Sequence, residues 1–130
     1  MAEKLIKTIR LNDYLELNLI DASIKIAGDR WQVCMVARMN IPVNDNPIFL
    51  NDKSMDDFKL FRSSVGEKVG FEQKRVRNFI DAKQKESLLQ QLVESFLQGT
   101  LTYLSHPDFS QKYVLKRYRE FLKKKKWGYQ

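Results

Sequence analysis

The chain has one cysteine, one histidine, three prolines and five glycines in 130 residues. It also has no uncharged apolar run near the roughly 20 residues that a helix needs to cross a bilayer. Each scarcity excludes something. A lone Cys34 cannot close an intramolecular disulfide, which points to a reducing cytoplasm. A lone His106 without a cysteine cluster leaves no ligand set for structural zinc. There is no Gly-rich phosphate loop and no nucleophile elbow, so nucleotide chemistry and acyl transfer lack their usual residues. The first ten residues interleave Lys4, Lys7 and Arg10 with Leu5, Ile6 and Ile9 and have no continuous apolar core of a secretory signal. These absences predict a cytoplasmic, non-catalytic protein without metal or cofactor.

What is present predicts a folded body. With 43% hydrophobic residues, the chain has the material for one core, and its length is that of one domain, residues 1–130. Leu5, Ile9 and Leu11 share one parity, Asn12-Asp13 suits a hairpin turn, and Leu15, Leu17 and Leu19 resume the alternation. The apolar phase then moves to Ile20, Ala22, Ile24 and Ile26, which predicts a bulge near Ile20. A turn at Gly28-Asp29 leads into Trp31, Val33, Met35, Ala37, Met39 and Ile41, a central strand with one face in the core, ended by Pro42.

Residues 43–53 read as a loop pinned by Ile48, Phe49 and Leu50, and Ser54 as the N-cap of a short helix stopped by Gly66. Residues 67–80 read as an edge strand. Asp81 opens a long helix with an apolar stripe from Leu88 to Leu104, ending at His106-Pro107. Phe109, Ser110 and Val114 have the spacing of a hydrophobic staple around an N-cap for a last helix with Val114, Leu115, Tyr118, Phe121 and Leu122 inward. The expected fold is α+β: an antiparallel sheet of about four strands, a short inserted helix, and two C-terminal helices packed on one face.

Three places could carry chemistry and have simpler structural readings. His106 suits a helix C-terminus, and Cys34 a buried strand position. Asp21, Ser23, Asp29 and Arg30 gather around a hairpin as turn residues or as a small polar pocket. Asp21-Ala22-Ser23 has the Asp-x-Ser of PilZ domains, but Ile26 replaces the glycine that motif needs, and its arginine pair is missing.

Charge supplies the functional signal. Residues 1–109 hold fifteen basic and fifteen acidic side chains, so the net +7 resides wholly in residues 110–130. There Lys112, Lys116, Arg119, Lys123 and Lys126 recur at alternating four- and three-residue spacing, one line along a helix. Such a ridge suits nucleic-acid phosphates, with Arg75, Arg77 and Trp127 as auxiliary contacts. The alternative is a protein-interaction or structural module. In that reading the ridge is a solvated face or meets an acidic protein, and Tyr113, Tyr118, Phe121 and Trp127 form a partner or homo-oligomer surface. A membrane surface ranks behind both.

The segments Asp21-Ala-Ser-Ile-Lys-Ile-Ala-Gly-Asp-Arg-Trp31, Arg77-Asn-Phe-Ile80 and Tyr103-Leu-Ser-His-Pro-Asp-Phe109 resemble a group of small bacterial proteins without an assigned function. The resemblance implies a bacterial cytoplasmic protein and carries over no site residue.

Overall fold

The computed structural model describes residues 3–12, 15–43 and 55–126. The fold is α+β, with an antiparallel sheet of five strands and three helices. The strands are β1 (Lys4–Arg10), β2 (Glu16–Asp21), β3 (Ile24–Ala27), β4 (Arg30–Pro42) and β5 (Lys68–Asp81). The helices are α1 (Met55–Val65), α2 (Lys85–Ser105) and α3 (Phe109–Lys126). The chain divides into two compact units, residues 1–39 with 71–105, and residues 40–70 with 106–130.

In the first unit β4 is the centre of the sheet. Along one edge, β2 pairs with it through Asn18–Arg38 to Asp21–Met35, and β3 through Ile24–Gln32 to Ala27–Arg30. The five strands exceed the expected four because Ala22-Ser23 interrupts one long strand. Asp21 Oδ1 accepts the Ser23 N–H at 2.9 Å, and Ser23 Oγ accepts the Cys34 N–H at 3.0 Å in place of a carbonyl. On the other edge of β4, Gln32 bonds Asn78 and Arg38 bonds Glu72, which makes β5 antiparallel.

The bulge expected near Ile20 is corrected: the register shift lies in the neighbouring strand, β1. Leu5 pairs with Ile20 and Lys7 with Leu19, so Ile6 is the extra residue. It turns Leu5 onto the face of Ile20, away from Ile9, and Leu5 is 58% exposed. Ile20 undergoes no change of phase, because it faces opposite to Leu17 and Leu19. The expectation of one buried face on β4 is also corrected. Every residue from Val33 to Ala37 is buried, Val36 and Cys34 on one face and Val33, Met35 and Ala37 on the other.

The 3-10 turn Ala82–Gln84 is capped by Asp81 Oδ1, which accepts the Lys83 N–H at 2.9 Å, and α2 follows directly. The buried stripe of α2 is Leu89, Leu92, Val93, Phe96 and Leu104. It lies over the sheet face of Trp31 and Arg75. The Lys85 ammonium is 4.4 Å from the Trp31 ring centroid, and the Arg75 guanidinium is 5.4 Å from that of Phe96.

The second unit has an aromatic core. Phe58 and Phe61 on α1 meet Tyr118 on α3 at 5.4 and 5.5 Å between ring centroids, and Phe61 meets Phe121 at 5.6 Å. Edge-to-face pairs of this kind add about 0.5 to 1.5 kcal/mol beyond area burial. Gly66, at φ 82°, ends α1 and donates to the Arg62 carbonyl at 2.8 Å. The Asp108 carbonyl accepts the Lys112 N–H at 3.0 Å, so α3 starts before Ser110, which sits inside the helix rather than at its cap. Asp13, the 44–53 loop with Ile48, Phe49 and Leu50, and the Ser54 cap lie outside the described residues.

Candidate functional site

The residues first considered for chemistry have structural roles. Cys34 is 7% exposed, and burial pushes its thiol above the ordinary range, so thiolate is disfavoured. His106 Nδ1 accepts the Asp108 N–H at 3.1 Å in the turn between α2 and α3. Asp21 and Ser23 complete the β2–β3 break, Gly28 takes φ 54° in the turn, and Arg30 pairs with Asp81 at 3.4 Å. No group of His, Cys, Asp or Glu able to hold a metal occurs among the described residues.

In the first unit's sheet, Arg38 is paired internally. Arg38 forks onto both Glu3 oxygens at 2.6 and 2.7 Å and donates to Glu72 at 2.6 Å. These hydrogen bonds hold both carboxyls below the usual carboxylate range and raise the Arg38 guanidinium further.

Helix α3 differs. Val114 and Tyr118 are buried and Leu115, Phe121 and Leu122 are half-buried, which fixes the helix's rotation and leaves Lys112, Lys116, Arg119 and Lys123 exposed. None of these four forms an ion pair with a described residue. Arg117, off the ridge, is committed: it pairs with Glu120 at 3.8 Å and donates to the Gly70 carbonyl at 3.0 Å, beside the Tyr113 hydroxyl at 2.7 Å. The Lys126 side chain and Trp127 lie outside the described residues. Tyr118 is 4% exposed and packs in the aromatic core, so it contributes nothing to a partner surface. Arg75 and Arg77 belong to the first unit, where Arg75 covers Phe96 and Arg77 donates to the Val76 carbonyl at 2.8 Å.

Beside the ridge, α1 and α3 enclose an open trough of about 920 Å³. Leu60, Phe61, Ser64 and Val65 supply one wall, and Lys116, Phe121 and Lys124 are part of the other. Sequence reasoning missed it, because the trough depends on α1 packing against α3. The only local hint is the four-residue spacing of Leu60 with Ser64 and of Phe61 with Val65. No family model, curated protein or solved structure matches the chain. No helix among the described residues is long and apolar enough to cross a membrane.

Proposed function

We propose that this chain is a non-catalytic binding module whose α3 ridge neutralises nucleic-acid phosphates. The observation that carries the reading is the exposed line of Lys112, Lys116, Arg119 and Lys123, free of ion pairs to described residues, on a helix whose rotation is fixed by its buried face. Like charges at this spacing oppose the helix by a few tenths of a kcal/mol per pair. A phosphate chain removes that repulsion and releases its own condensed counterions. Lysine-rich contacts of this type supply affinity and little base preference. The resemblance to small bacterial proteins sets the proposed location in a bacterial cytoplasm.

Titration with single- and double-stranded oligonucleotides over a range of salt tests the reading. With about four or five phosphate contacts, the log-log salt slope is expected near −3 to −5. No detectable binding at about 50 mM salt contradicts it. Retention on anionic vesicles but not on nucleic acid moves the ridge to a membrane surface.

A further inference from the structure

Along the trough wall of α3, Tyr113, Lys116, Arg117, Glu120, Phe121 and Lys124 recur at three- and four-residue spacing, Lys116 being shared with the ridge. That run covers about three helical turns, or roughly 16 Å at 1.5 Å per residue. The lining is mixed, with an apolar part in which Phe61 is 1% exposed and Phe121 half-buried, while Leu60 stands 52% exposed, a large aliphatic side chain left in water. The single acid among the described lining residues, Glu120, is engaged by Arg117 at 3.8 Å. Lys116 and Lys124, a little over two turns apart, form no ion pair with a described residue.

We propose that this trough docks an acidic amphipathic helix of a partner protein. Its apolar residues, at i, i+3 or i+4 and i+7, lie against Leu60, Val65 and Phe121, and carboxylates two turns apart meet Lys116 and Lys124. Charge complementarity selects an acidic partner, since the lining's own acid is already paired. The lining selects a helix. Its described residues come from α1 and α3 alone, so among them an extended peptide finds no strand edge for its backbone groups, whereas a helix satisfies its own. The inference goes beyond phosphate binding and does not rest on it, because Lys112, Arg119 and Lys123 do not line the trough.

The probe is a labelled synthetic peptide of about 15 residues, or four turns, with leucines on one face and glutamates flanking them, compared with a scrambled peptide of the same composition. Fluorescence anisotropy is expected to show the amphipathic peptide binding at least about tenfold more tightly than the scrambled one. Leu60→Ser and Lys124→Glu, both at exposed positions, are each expected to weaken it about tenfold without lowering the melting temperature. Combined Lys112→Gln, Arg119→Gln and Lys123→Gln is expected to keep most peptide affinity while losing oligonucleotide. Equal binding of both peptides, no binding of either, or parent-like affinity in both trough variants overturns the proposal. So does an oligonucleotide, rather than the peptide, shifting the nuclear magnetic resonance signals of Leu60, Val65 and Phe121. A ridge variant that loses peptide as fully as the trough variants also overturns it, since charge alone then explains the binding.

Discussion

In the first unit several cations are held by acids, Arg38 by Glu3 at 2.6 Å, Arg30 by Asp81 at 3.4 Å and Lys85 by Asp21 at 3.8 Å, and Arg75 lies over the Phe96 ring. In the second unit, α3 places Lys112, Lys116, Arg119 and Lys123 in solvent with no such pairing to a described residue. The cores differ in parallel. Leu17, Leu19, Met35 and Val36 give the first unit a mainly aliphatic core around Phe96, and Phe58, Phe61 and Tyr118 give the second a cluster of rings. Paired charge over an aliphatic sheet serves the fold. An unpaired line of charge costs the helix that carries it, and the aromatic contacts beneath α3 are what hold that helix in place.

The largest test of this contrast removes a ring. Phe61→Ala takes away contacts to Phe58, Tyr118 and Phe121 at once and is expected to cost about 3 to 5 kcal/mol, read by chemical denaturation. A loss below about 1 kcal/mol shows that the rings do not anchor α3. In the first unit, Cys34→Ala is expected to cost roughly 1 to 2 kcal/mol. Native Cys34 is expected to react with a thiol reagent far more slowly than the unfolded chain, given its burial and raised pKa.

A gain is expected at Phe79. Gln32 donates to the Asn78 side chain, yet in the turn just before β4 the Asp29 carbonyl accepts the Ala82 N–H rather than that of residue 81, which fits one extra residue in β5 between them. Phe79 takes φ 57° there, with 72% of its surface exposed. A left-handed conformation costs a non-glycine residue about 1 to 2 kcal/mol, so Phe79→Gly is expected to stabilise the protein by about 1 kcal/mol, less the entropy glycine adds to the unfolded chain. A clear loss of stability instead means that the exposed ring makes contacts worth more than the strain.

The smallest effect is in pH. Glu3 and Glu72 have folded pKa values below their unfolded ones, chiefly through hydrogen bonds from Arg38. Their contribution is therefore complete above the ordinary carboxylate range and is lost as pH falls through the depressed folded values. Arg38→Ala is expected to flatten that acid limb of the stability curve. An unchanged limb shows that the exposed pairs are screened out.

Local chemistry made much of the fold legible. Gly28 and Gly66 take the positive φ their turns require, Pro42 is the last residue of β4, and Asp81 caps the turn that opens α2. The ridge was legible too, because helical spacing and apolar phase were both in the sequence. What escaped depends on pairing. The extra residue at Ile6 reverses Leu5 only when β2 sets the register, and alternation alone could not show Val36 buried along with the opposite face. Tyr118 is buried as its helical spacing predicted, but that it is closed off from any partner surface depends on Phe58 and Phe61, some sixty residues away.

The central claim is that the ridge binds by position and not by net charge. The direct measurement is the salt dependence of oligonucleotide binding for two variants of equal charge: Lys116→Gln with Arg119→Gln and Lys123→Gln on α3, and Lys4→Gln with Lys7→Gln and Lys25→Gln on the first unit's exposed strand positions. The ridge variant is expected to reduce the magnitude of the slope by about 2 to 3, while the control keeps the parent slope. Equal slopes for the two variants contradict the account.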